Sequence, residues 1–115
     1  MALSGNATAS LQIRNGEFAG MVYELLAEET RIGRNPTTDI TLLDAGISRE
    51  HAVVISEPFD GGHRLEDLDS TNGTKVNGKS VLAATLNDGD EIEMGQTCFR
   101  YVRNSTVSGG RNDDA

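Results

Sequence analysis

Turn signals at Asn15-Gly16, Asn35-Pro36, Asp60-Gly61-Gly62, Asn72-Gly73, Asn77-Gly78 and Asp88-Gly89 cut this chain into pieces too short for helices of ordinary length. Between the turns apolar residues alternate with polar ones: Leu11 and Ile13, Tyr23 and Leu25, Ile40 and Leu42, Ile92 and Met94, Phe99 and Tyr101. A period of two marks strands with one buried face. Residues 50–56 depart from it, because Ala52, Val53, Val54 and Ile55 are apolar in succession. That run predicts a central strand covered on both faces. Residues 24–30 read as strand and turn rather than helix. The pattern as a whole, with its 13 glycines, predicts an all-β sandwich or barrel.

A chain of 115 residues supplies one hydrophobic core, and so one domain. Its ends, 1–8 and 104–115, are small, polar and rich in Gly, Ser and Asp, a composition that buries too little apolar area to offset chain entropy. They are expected to be flexible tails around a domain at 9–103. Residues 1 to 10 lack the basic start and apolar stretch of a secretory signal, and no apolar run is long enough to span a bilayer. A cytoplasmic protein is expected. The single cysteine, Cys98, excludes an internal disulfide and a thiolate metal cluster, and its setting reads as a packed strand thiol.

The formal net charge is −8. Such a field repels nucleic acid and anionic membranes, whose affinity rests on Lys and Arg neutralising phosphates. Any anion bound here must be met by a few arginines and backbone N–H groups focused at one place. Three segments carry such groups: Arg31-Ile32-Gly33-Arg34-Asn35, Gly46-Ile47-Ser48-Arg49-Glu50-His51, and Ser70-Thr71-Asn72-Gly73-Thr74-Lys75-Val76-Asn77-Gly78. Brought together, their guanidinium, hydroxyl, amide and glycine N–H donors suit a tetrahedral, doubly charged oxyanion.

The order Gly33-Arg34, then Ser48-Arg49-x-His51, then Ser70-Thr71-Asn72-Gly73-Thr74 and Val76-Asn77-Gly78 resembles the signature of the forkhead-associated (FHA) domain family over roughly residues 11–103. The resemblance implies an all-β, two-sheet β-sandwich of about eleven short strands, FHA/SMAD-like, whose loops at one end recognise phosphothreonine in a partner protein. It implies a Ser/Thr protein kinase upstream. By position, Arg34 resembles the arginine that pairs with the phosphate and Ser48 the hydroxyl that donates to it. Arg49 stands where the family adds a further phosphate contact, and Thr71 matches a contact from the next loop. Asn72 matches the asparagine that holds the peptide main chain, and Asn77 a position near the peptide in some members. Gly33, His51 and Gly73 match framework positions. Gly46 falls where some members carry an arginine that selects the third residue after the phosphothreonine.

Other chemistries find less support. A hydrolytic triad built on Ser48 and His51 lacks the nucleophile-elbow glycines, and residues three apart at a strand entry point to opposite faces. His51 reads instead as a buried histidine bonding loop backbone. Asn87-Asp88-Gly89-Asp90-Glu91 lacks the ligand spacing of a calcium loop and reads as a turn. His63, beside Gly62, reads as solvent-exposed. No catalytic residue, metal, cofactor or small-molecule substrate is expected. The alternative is a phosphate-independent interaction or scaffold domain using a sheet face or edge.

Overall fold

The computed structural model describes residues 9–57 and 61–103. The tails expected at 1–8 and 104–115 lie outside the described residues, as does Asp60 of the expected Asp60-Gly61-Gly62 turn. Eleven strands form: β1 (Ala9–Ile13), β2 (Val22–Glu24), β3 (Glu29–Gly33), β4 (Ile40–Thr41), β5 (Ala52–Ser56), β6 (His63–Asp67), β7 (Thr74–Val76), β8 (Lys79–Val81), β9 (Ala83–Thr85), β10 (Glu91–Met94) and β11 (Thr97–Arg103). One sheet has the order β2-β1-β11-β10-β7-β8 and the other β4-β3-β5-β6-β9. All pairings are antiparallel except β3 with β4. The expected two-sheet sandwich is therefore present, and residues 24–30 are strand and turn. Among the described residues no helix is long and apolar enough to cross a membrane.

The alternation read from the sequence becomes the core because cross-strand partners share a face. In the first sheet Ile13 faces Phe99, which faces Ile92, which faces Val76, and Leu11 sits between Tyr23 and Tyr101. In the second, Val54 lies between Thr30 and Leu65. Phe99, Tyr101, Leu11, Ile32, Leu65 and Ile92 are fully buried. β5 occupies the middle of its sheet, and Ala52, Val53 and Val54 are all buried, as a strand covered on both faces requires, while Ile55 toward its end is half-buried. Cys98 is half-buried in β11. Burial, with Glu93 and Glu91 nearby, pushes its thiol up from the ordinary value, which keeps it protonated and unreactive.

His63 corrects an expectation. It is 2% exposed, because as the first residue of β6 it turns inward on the same face as Leu65. Its Nδ1 lies 2.7 Å from the Tyr101 hydroxyl, with the two rings edge to face. This buried polar link joins the two sheets. Tyr101→Phe keeps the ring and deletes this hydrogen bond, so it should destabilise the fold by about 0.5–1.5 kcal/mol, the net contribution of one internal hydrogen bond. Urea unfolding would register this as a lower midpoint at unchanged slope.

Candidate functional site: a cluster of three loops

Three connections converge at one end of the sandwich: 34–39 between β3 and β4, 42–51 between β4 and β5, and 68–73 between β6 and β7. Main-chain bonds fasten the first two. Arg34 N–H donates to Ser48 O at 3.0 Å, Asn35 N–H to Arg49 O at 3.1 Å and His51 N–H to Ile32 O at 2.8 Å. The strand and loop run so close that a Cβ on Gly33 would stand 2.0 Å from Arg49 O. Gly33 is needed for this approach, not for an unusual backbone angle. The Arg34 side chain is exposed, and its Nε donates to Ile47 O. That bond holds the guanidinium against the second loop.

The third loop is tied to the second by side chains. Ser48 Oγ accepts from Thr71 N–H at 2.9 Å, so its own hydroxyl proton is left to donate elsewhere. Asn72 Nδ2 donates to Gly46 O at 2.9 Å. His51 is fully buried beneath both loops. Its Nδ1 accepts from Ser48 N–H at 3.0 Å, which requires the proton to be on Nε2, where it is donated to Gly73 O at 2.9 Å. The ring is thus a neutral strut between backbone groups, and Ser48 Oγ is not its partner.

Two aspartates that sequence reasoning did not single out set the loop shapes. Asp67 ends β6 and takes Ser70 N–H at 3.0 Å, Ser70 Oγ at 2.6 Å and Thr74 Oγ1 at 2.7 Å. Since Thr74 belongs to the other sheet, this carboxylate clasps the sandwich shut beneath Thr71 and Asn72. Asp44 takes Gly46 N–H at 2.8 Å, Gln96 N–H at 2.7 Å and Thr97 Oγ1 at 2.8 Å, fixing the second loop to the β10–β11 turn. A Cβ on Gly46 would meet Gly95 Cα at 2.9 Å. The signal available was an aspartate two or three residues before a small loop residue, the pattern of a side chain that mimics a backbone turn.

For both aspartates burial works to raise the pKa but is outweighed by these hydrogen bonds, and each carboxyl is held below its ordinary value. The sign follows. The unfolded value is about 3.9 and the folded value is lower, so the stabilisation is complete above the unfolded value and is lost as pH falls from there through the folded one. In urea melts at pH 6 and pH 3, Asp67→Asn should be less stable than wild type at pH 6 and should lose less stability on acidification. Parallel losses in the two proteins would exclude Asp67 as a source of the acid sensitivity.

The structure brings Arg34, Ser48, Thr71 and Asn72 to one surface, with Arg49 exposed beside Ser48. Among the described residues Arg49 makes no ion pair, while its neighbour Glu50 is paired with Arg31 at 3.6 Å. Gly33, His51 and Gly73 lie directly beneath. Asn77 is not brought in. It occupies the β7–β8 turn with φ of 52°, and both ends of its amide are held by Asp90 and the Glu91 N–H, at 2.9 and 3.0 Å. The turn expected of the 87–91 stretch forms over residues 87–90, with Glu91 opening β10, and the Asp90 carboxylate is already bonded to Asn77 and Asn87. Among the described residues no group of three His, Cys, Asp or Glu is placed to hold a metal.

Comparison with known proteins places the chain in a family. Residues 30–95 match the profile described as FHA domain. The chain is 36% identical over 110 residues to glycogen accumulation regulator GarA of Mycolicibacterium smegmatis, covering 96% of this chain and 65% of that protein. It is 38% identical over 93 residues to transcriptional regulatory protein EmbR of Mycobacterium tuberculosis, covering 80% of this chain and 24% of EmbR. Among solved structures, one reported in a study of phosphothreonine-dependent FHA domain interactions superposes with a TM-score of 0.76 at 33% identity, over 84% of this chain and 96% of that one. Mycobacterium tuberculosis EmbR in complex with a low-affinity phosphopeptide superposes with a TM-score of 0.75 at 35% identity, over 98% of this chain and 28% of EmbR.

Proposed function

The chain belongs to the FHA domain family, and from that membership we propose that it is a non-catalytic module that binds phosphothreonine in a partner protein. One observation carries the reading: Ser48 Oγ accepts from Thr71 N–H at 2.9 Å. The bond joins two loops and leaves the Ser48 hydroxyl proton to donate, on the same loop whose Ile47 carbonyl anchors the Arg34 guanidinium. In this reading Arg34 pairs with the phosphate, Ser48 and Thr71 bond its oxygens, and Arg49 adds charge at the rim. Asn72 has one amide hydrogen on Gly46 O and keeps its carbonyl for the peptide main chain. Gly33, His51 and Gly73 hold the loops in place.

The relatives support this. One FHA structure, at 33% identity, comes from a study of phosphothreonine-dependent FHA domain interactions, and EmbR was solved in complex with a low-affinity phosphopeptide. The partner of this chain is then a Thr-phosphorylated protein, written by a Ser/Thr kinase in the cytoplasm. Screening the chain against a degenerate phosphothreonine peptide library, with unphosphorylated controls, tests the reading. Selective retention of phosphorylated peptides supports it, and equal retention of both sets rejects it.

The same chemistry predicts that Asp or Glu will not replace the phosphothreonine. A carboxylate has one charge and two oxygens in a plane, whereas a phosphate presents about two charges and three acceptor oxygens to donors converging from several directions. The second phosphate pKa is about 6. A site that prefers the dianion lowers that value in the complex, so affinity is full above the free value and falls as pH drops below it. Arginine stays charged throughout. Titration calorimetry between pH 7.5 and 5.5 should show affinity declining with acid, and a flat profile on folded protein would mean that the dianion is not what is recognised.

A further inference from the structure

We propose that the open side of the sandwich between β2 and β4 is a second docking surface, for an extended partner segment that alternates apolar and basic side chains. β2 and β4 are edge strands of the two sheets. Ile13 N–H donates to Met21 O and Leu25 N–H to Ala9 O, and with Leu11 opposite Tyr23 the antiparallel alternation turns the Met21 carbonyl, the main chain of Tyr23 and the Leu25 N–H toward β1, while the Met21 N–H donates to Phe18 O. The N–H and C=O groups of Val22 and Glu24 therefore face outward, a template for one more strand.

Apolar side chains gather along this side and are exposed: Phe18 52%, Val22 51%, Leu26 64% and Leu43 90%. Two clefts are lined by these residues. One is bounded by Val22, Leu26 and Ile40, the other by Phe18, Leu42 and Leu43. Charge selects the occupant. The cleft walls include the carboxylates of Glu24, Asp39, Glu17 and Asp44 and not one Lys or Arg. Among the described residues none of the four is ion-paired; Asp39 accepts the Arg31 N–H and Asp44 the loop bonds above. A second copy of this chain would set carboxylates against carboxylates, and an anionic lipid surface would be repelled in the same way. A segment with Lys or Arg between apolar residues satisfies the cleft and its rim together, with no phosphate and no use of Arg34.

A displayed library of random unphosphorylated peptides, selected on the wild-type chain and counter-selected on Leu26→Glu/Leu43→Glu, tests this. Both positions are exposed, so an unchanged urea midpoint is expected for the variant. Enriched peptides should alternate apolar residues with Lys or Arg. They should bind about tenfold or more weakly to that variant and to Glu17→Lys/Glu24→Lys, and equally well to Arg34→Ala. Enrichment of acidic peptides, or no enrichment over the counter-selection, overturns the proposal. So does sedimentation of the wild type as a dimer that Leu26→Glu/Leu43→Glu dissociates, because a second copy then covers this face.

Discussion

Arg34→Ala is expected to remove measurable binding of phosphothreonine peptides while the domain stays folded. The bonds that fasten this part of the chain are main-chain bonds, Arg34 N–H to Ser48 O and Asn35 N–H to Arg49 O, and alanine keeps both. What is lost is the guanidinium, with one hydrogen bond to Ile47 O, a net contribution of about 0.5–1.5 kcal/mol to stability. The cost to binding is larger. Removing one partner of a desolvated charge pair costs about 2–5 kcal/mol, and a micromolar complex has only about 8 kcal/mol in total. The acidic background, net charge −8, opposes any anion left without its arginine. Calorimetry that finds the mutant within a few-fold of wild type would remove Arg34 from its assigned role.

Gly33→Ala should damage stability more than any substitution at the exposed site residues. The new methyl would stand 2.0 Å from Arg49 O and 2.7 Å from Arg49 C. Both are main-chain atoms, and no side-chain rotation relieves the contact. The loop must move, and with it the Asn35–Arg49 and Arg34–Ser48 bonds. Overpacking costs about 1–3 kcal/mol and each strained hydrogen bond about 0.5–1.5, so a loss of about 3 kcal/mol or more is expected from a domain whose total is of order 5–15. The urea midpoint should fall sharply, and peptide affinity should fall with it because Ser48 and Arg49 are carried by the displaced loop. A midpoint equal to wild type would mean that the close approach is not maintained in solution.

Much of the sandwich was legible in the sequence because strand alternation is local. Leu11 and Ile13, or Phe99 and Tyr101, declare a buried face without reference to any partner, and Asn77-Gly78 declares a tight turn. Sheet order was not legible in this way, since it depends on pairings such as β1 with β11 between opposite ends of the described chain. His63 misled for the same reason. Beside Gly62 it has the look of a loop residue, and the hydroxyl that makes its burial tolerable belongs to Tyr101, 38 positions away.

The cluster of loops divides along the same line. Arg34, Ser48, Thr71 and Asn72 could be singled out because their motifs are compact and ordered, and the structure places them on one surface. Asn77 sits in an equally recognisable motif, but its amide is consumed by Asp90 and Glu91, a commitment made across two strands. Asp67 and Asp44 passed unnoticed because an aspartate in a polar loop looks like any other. Their importance rests on which N–H and hydroxyl groups the fold delivers to them, in Asp44's case from Gln96 and Thr97, more than fifty residues on.

The central claim is that this surface recognises a phosphate on threonine. Calorimetry with one library-derived peptide in three forms, phosphothreonine, unphosphorylated threonine and glutamate, tests it most directly. Heat and saturation are expected with the phosphothreonine form alone, near micromolar affinity, abolished by Arg34→Ala. Comparable affinity for the unphosphorylated or glutamate form, or phosphopeptide binding that survives Arg34→Ala, would contradict it.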